Sequence, residues 1–257
     1  MYPELIKIGD FSISSFGVMV ALGFLTSYWL ALLEFRRKGF DEKILGNFFI
    51  AAMVGGVIGA KLLFIFENVP LSVFLNDPFT YLFSRGGLTF YGGFIVGFIL
   101  TWIVVHRSNL SYWQVSDACA PGMALGYAVG RIGCFLVGDD YGIPSSLPWA
   151  ISFPNGLPPT IDRVHPTQLY EVIFMTVVFL ILWKIRKLDK PNGWMYSIYL
   201  IFAASERFLI EFVRSTTPSH IPSLSLAQVT AIIIIAIGVG KLVLIQKSEQ
   251  NLANQNK

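Results

Sequence analysis

Charge is what this sequence has least of. Only 14% of its 257 residues are Asp, Glu, Lys or Arg, where a soluble domain carries about 25%. An ordinary water-soluble domain is thereby excluded. The net charge of +3 also leaves no basic surface of the kind nucleic acid requires. Cysteine is limited to Cys119 and Cys134, which fall in one apolar segment about four helical turns apart. One helix cannot bring them within disulfide reach, so each reads as a small buried residue. No cleavable leader is expected, because MYPELIKIGDFSISS lacks a basic start followed by a short apolar run and a small-residue cleavage site. No repeats and no second domain are visible. What remains is 54% hydrophobic and 15% aromatic residues, the composition of an integral membrane protein.

Seven apolar segments have the roughly 17–25 residues of a spanning helix, at 13–33, 46–66, 88–105, 117–137, 167–185, 194–213 and 226–245. The fold class expected is an all-α integral membrane protein with a long irregular loop over 138–166. Lys and Arg gather in cytoplasmic loops. Here they gather at Arg36, Arg37, Lys38 and Lys43, at Arg107, and at Lys184, Arg186, Lys187 and Lys190. The N-terminus and the 138–166 loop are therefore expected outside and the C-terminus in the cytoplasm. Residues 1–245 read as one membrane domain, and the polar tail 246–257 as disordered. Gly and Ala recur at helical spacing in 54–61, 91–97 and 122–130, which predicts close-packed seams. Gly86-Gly87 and Gly92-Gly93 would also suit a re-entrant turn lining a polar cavity.

Lys61, Asp117, Arg131, Glu171, Glu206, Arg207, Glu211 and Arg214 sit inside those apolar segments. An arginine at mid-span is unfavourable by roughly 2.5–3.5 kcal/mol, so something must compensate it. Arg207, Glu211 and Arg214 are spaced to share one helix face and to neutralise one another. Lys61 and Arg131 lie on other segments and are not covered by that ladder. Converging cations of this kind ask for an anion, and phosphate fits the arginine fork. Asp139 and Asp140 follow Arg131 where its helix leaves the membrane and can pair with it or with one of the other arginines. His165 and Glu171 bracket the next helix entry, where Thr167 is expected to cap.

At these residues the sequence resembles the bacterial phosphatidylglycerol–prolipoprotein diacylglyceryl transferases. The family signature Gly-Arg-x-Gly-Asn-Phe-x-Asn-x-Glu-x-x-Gly aligns, with departures, to residues Gly130 to Gly142, GRIGCFLVGDDYG. HPTQLYE (165–171), QVSD (114–117), GGLTF-x-GG (86–93) and Arg207…Glu211…Arg214 are also similar to family motifs. The departures are Cys134 and Val137 for asparagines, Asp139 for glutamate, Tyr91 for a histidine, Phe16 for a tyrosine and Lys61 for an arginine.

The resemblance implies transfer of a diacylglyceryl group from phosphatidylglycerol to the lipobox cysteine of a preprolipoprotein signal peptide, giving a thioether and glycerol phosphate. It places the chain in the bacterial inner membrane with the active site toward the outside, without cofactor or metal. Arg131 and Arg207 are implied to hold the phosphate, with Lys61 and Arg214 in support. Glu171, Glu211, Gly142 and Cys134 complete the implied substrate site. The thiol, of free pKa about 8.5, must become a thiolate, and Tyr91, Asp139 and His165 stand as candidates for that proton transfer. A paralogue serving another acceptor and a non-catalytic lipid binder or translocator remain the alternatives.

Overall fold

The computed structural model describes residues 1–8, 11–84, 86–214 and 224–255. Among the described residues helices dominate: α1 (Ser15–Lys38), α2 (Glu42–Asn68), the short α3 (Leu71–Asn76) and α4 (Pro78–Phe83), α5 (Phe90–His106), α6 (Tyr112–Val137), α7 (Thr167–Ile185), α8 (Trp194–Ile210) and α9 (Leu226–Gln255). Five of them, α1, α2, α6, α7 and α9, are long and apolar enough to cross a membrane. α5 and α8 have 17 residues each, the lower end of the spanning range. Side chains such as Phe66, 85% exposed, and Ile173, 65% exposed, stand on helix faces that water would not tolerate and lipid would.

Several expectations change on contact with the structure. The first concerns strands. β1 (Glu4–Ile8) pairs antiparallel with β2 (Phe11–Ser14), and β3 (Ile151–Phe153) with β4 (Thr160–Val164), so the 138–166 loop is not wholly irregular. Ile, Thr and Val suit a pleated, half-exposed surface, but runs this short do not announce themselves beside long apolar helices. The second concerns the tail. α9 continues from Ile245 through Gln255, where Lys, Glu, Gln, Leu and Ala are good helix formers extending an existing nucleus. The third concerns Thr167, which starts α7 without a side-chain cap bond and instead donates Oγ1–H to the Asp140 carbonyl at 2.6 Å.

The chain divides into two compact units, residues 1–34 with 116–257, and residues 35–115. In the smaller unit α2 lies on α5 along glycines. A Cβ at Gly59 would stand 2.3 Å from the Gly92 carbonyl oxygen, and one at Gly55 2.8 Å from Gly97 Cα. The backbones touch there, as the small-residue pattern predicted. Gly92 and Gly93 belong to the first turn of α5 and to this seam, rather than to a re-entrant turn. In the larger unit Gly23 and Gly126 bring α1 against α6, where Ser27 donates to the Gly122 carbonyl at 2.8 Å. Its core layers Ala120, Ala124 and Ala128 of α6 against Met175, Val178 and Leu182 of α7 and Met195 and Tyr199 of α8. Asp117 is explained at the same time. Its carboxylate accepts from the Gly193 and Tyr196 N–H groups at 2.7 and 2.8 Å, satisfying the open N-terminus of α8 from a neighbouring helix.

Candidate active site

Where α6 ends, the chain turns through Gly138 (φ +76°) and Asp140 (φ +59°). The turn is held over the start of α7. Besides the Thr167 bond, Gln168 Nε2 donates to the Asp139 carbonyl. Gly142 N–H then donates to the His165 carbonyl and Ile143 N–H to that of Val213, both at 2.9 Å. A Cβ at Gly142 would lie 2.2 Å from the Val213 oxygen. Gly142 is thus required for backbone approach and shapes the site without offering a side chain to it.

This stitching closes a ring of alternating charges from three parts of the chain. Asp140 accepts from Arg131 Nη1 on one carboxylate oxygen and from Arg214 Nη2 on the other, both at 2.8 Å. Glu171, 1% exposed, faces them from α7. It takes Arg131 Nε on Oε2 and Arg214 Nη1, at 3.5 Å, on Oε1. Tyr127, one turn before Arg131, receives Arg131 Nε at 3.2 Å and donates to Glu171 Oε2 at 3.3 Å. Arg131 Nη1 also reaches Cys134 Sγ at 3.6 Å.

The expected ladder along one helix face does not form. α8 ends at Ile210, Glu211–Val213 tightens into a 3-10 turn, and Arg214 swings to Asp140 and Glu171. Arg207 keeps Glu211 as an ion pair at 2.9 Å, although that Glu211 oxygen makes no well-directed hydrogen bond. Arg207 Nη1, Glu206 Oε1 and Asp139 Oδ1 are buried without a hydrogen-bond partner among the described residues. All three arginines lie within electrostatic range of Glu171, Glu206 and Asp140.

The two adjacent aspartates are driven apart. Burial pushes the Asp139 carboxyl above its ordinary value, and the neighbouring Asp140 charge adds to that. Burial would raise Asp140 as well, but Arg214 and then Arg131 outweigh it and hold that carboxyl below the ordinary range. Cys134, Asp139 and Asp140 offer donor atoms within 4.8 Å of one another. Arg131 Nη1 hydrogen-bonds two of the three, Cys134 Sγ and Asp140 Oδ2.

The remaining expected residues lie elsewhere. His165 is outside the charged ring and lines an apolar cavity of about 610 Å³ with Trp149, Tyr170 and Ile173. Tyr170 accepts from Trp149 Nε1 at 2.8 Å, and its hydroxyl lies 3.2 Å from His165 Nδ1. Lys61 and Tyr91 belong to the 35–115 unit. Lys61, 7% exposed, donates to the Ser84 carbonyl, the Ser84 hydroxyl and the Gly86 carbonyl at 2.9, 2.7 and 2.6 Å. It anchors the loop before α5. Tyr91, 41% exposed, stands in the first turn of α5 with its ring edge-on to Phe90 at 5.7 Å.

Tyr127, Glu206, Gln168 and the bridging role of Asp140 were not singled out from sequence as site residues. Tyr127 carried a signal, since it lies four residues before Arg131 and shares its helix face.

Residues 3–244 match the family described as Prolipoprotein diacylglyceryl transferase. A relative from Clostridium tetani is 32% identical over 241 residues, covering 93% of this chain and 96% of its own length. One from Vibrio parahaemolyticus is 36% identical over 219 residues (82% and 78%). One from Aeromonas hydrophila is 32% identical over 269 residues (99% and 94%). Each of the three bears the name phosphatidylglycerol–prolipoprotein diacylglyceryl transferase.

Proposed function

Because the chain belongs to the prolipoprotein diacylglyceryl transferase family, we propose that it is the enzyme that transfers the diacylglyceryl group of phosphatidylglycerol to prolipoproteins. The observation that carries this reading is the family match over residues 3–244, which takes in every member of the charged ring. The acceptor is the lipobox cysteine of a preprolipoprotein signal peptide. Its sulfur forms a bond to the glyceryl carbon, the bond from that carbon to the phosphate oxygen breaks, and glycerol phosphate leaves with the electron pair. The thiol proton passes to a base on the protein.

Fixed positive charge must meet the departing phosphate. Arg131 and Arg214 are balanced by Glu171 and Asp140, so they do not stand as free cations awaiting an anion. Arg207 offers the unclaimed buried donor, Nη1, and receives the phosphate first. Arg131, oriented by Glu171 and Tyr127, joins it when the lipid displaces Asp140 from Nη1. Asp139 is the base this arrangement favours. Among the described residues its buried Oδ1 has no well-directed hydrogen bond, and its carboxyl, whose pKa burial and Asp140 raise despite the nearby Cys134 thiol, is better matched to a thiol than an ordinary aspartate. His165 is engaged with Tyr170, and Tyr91 is not the base in this reading.

Seven spans complete the proposal, α5 and α8 included, in one membrane domain over 1–245 with 246–257 as a polar extension. The N-terminus and the 138–166 loop lie outside and the active site opens toward them, in a bacterial inner membrane. The direct test is the purified protein with phosphatidylglycerol and a lipobox peptide, scored by mass for the diacylglyceryl-peptide. A folded protein that yields none, while a family relative does so in parallel, removes the assignment.

A further inference from the structure

The 35–115 unit carries a feature that the transfer reaction does not use. Beyond the Gly55–Gly97 contact, α2 and α5 border an open groove of about 630 Å³, inside the roughly 300–1,000 Å³ span of ligand pockets. Ile50 and Val54 from α2 and Leu100 and Val104 from α5 wall it, with Asp41 and Arg107 at the helix ends. Asp41 uses Oδ1 to accept from the Lys43 N–H at 2.9 Å. Neither Asp41 nor Arg107 is ion-paired among the described residues. Asn47, Ser108 and Asn109 add uncharged polar groups to the lining, and apolar walls beside one cation and one anion are complementary to a lipid whose head bears both charges. This end of α2 and α5 also lies beside the basic cluster Arg36, Arg37, Lys38 and Lys43, which marks the cytoplasmic headgroup layer in the proposed orientation.

We propose that this groove binds a zwitterionic aminophospholipid of the phosphatidylethanolamine class. The phosphate meets the Arg107 guanidinium, the ammonium meets the free oxygen of Asp41, and an acyl chain lies along Ile50, Val54, Leu100 and Val104. Phosphatidylglycerol is disfavoured here because its head shares the phosphate but has no cation to meet the Asp41 carboxylate. Phosphatidylcholine is disfavoured because its quaternary ammonium has no N–H to donate. The site rests on residues that take no part in the proposed transfer, so it stands or falls apart from that reading.

The test reconstitutes the full chain in nanodiscs with phosphatidylethanolamine or phosphatidylglycerol analogues carrying a photoactivatable group on the acyl chain, and maps the adducts by mass spectrometry. The ethanolamine analogue is expected to label residues 44–54 and 100–104 about tenfold more than the glycerol analogue, the order set by one charge-assisted hydrogen bond. Asp41→Asn keeps the cap acceptor for Lys43 and should erase that preference. Arg107→Gln should lower labelling by both lipids, and diacylglyceryl transfer should be unchanged in both variants. Equal labelling of the wild type by the two lipids, adducts elsewhere, or a preference that survives Asp41→Asn would each overturn the proposal.

Discussion

Arg131 and Arg207 look alike in the sequence, and the structure separates them. Arg131 is locked to a carboxylate that is 1% exposed, so Arg131→Ala strands a buried charge, at about 3–5 kcal/mol. Activity and thermal stability in detergent should fall together. Pairing Arg131→Met with Glu171→Gln should restore the melting temperature but not turnover. Arg207 is one-third exposed and, among the described residues, ion-paired to Glu211 alone. Arg207→Ala should therefore abolish transfer at little cost in stability, and Arg207→Lys should recover part of it, as a point charge replaces a fork. If Arg207→Ala keeps wild-type turnover, the phosphate is held elsewhere. Asp139→Asn should lower turnover about 10²–10⁴-fold if Asp139 takes the thiol proton, whereas Tyr91→Phe should stay within about tenfold. A base must be deprotonated to act and the Asp139 carboxyl is raised. The acid limb of the rate profile should thus lie above the ordinary aspartate range and vanish in Asp139→Asn. An unchanged limb would point back to His165.

At the scale of elements, two devices hold helices that hydrophobicity alone cannot orient, because lipid is as apolar as leucine. The first is the glycine seam of α2 and α5. Gly59→Ala places a methyl against the Gly92 carbonyl, an overpacking that should cost about 1–3 kcal/mol. Gly46→Ala meets nothing within 4 Å and should be neutral or slightly stabilising, so unfolding curves for the pair isolate the seam. The second is the Asp117 cap on α8. Asp117→Ala leaves two helix N–H groups without that acceptor and should cost about 1–3 kcal/mol. Asp117→Asn, which retains one acceptor oxygen, should lose less. Equal losses in the two variants would mean that charge rather than capping is what Asp117 supplies.

For the whole molecule the decisive property is orientation. Single cysteines introduced at Ser145 or Asn155 should react with a membrane-impermeant maleimide on intact spheroplasts, and one at Lys187 only after permeabilisation. The native Cys119 and Cys134 are buried, so the background should be low. Protection of Ser145 and Asn155, with labelling at Lys187, would invert the bilayer assignment. It would place the charged ring on the cytoplasmic side, away from where the proposed reaction needs it.

Composition and periodicity decided the class by themselves. Scarce charge and membrane-length apolar runs leave few other folds, and the expected segment 167–185 coincides with α7 residue for residue. The charges worth following were legible for the same reason, since each is unfavourable in lipid and must be compensated. That Asp140 can pair with an arginine was legible from its place just after Arg131, but the other partners were not, because residues so far apart in sequence share no periodicity. Arg131 meets Asp140 and Glu171, and Arg214 leaves its apparent ladder to join them, only because Gly142 and Val213 bring two strips of backbone together. Lys61, counted among the phosphate's cations from sequence, is committed to Ser84 and Gly86 by a loop conformation that no spacing announces. Local chemistry determined what each residue needs, and tertiary closure determined where each need is met.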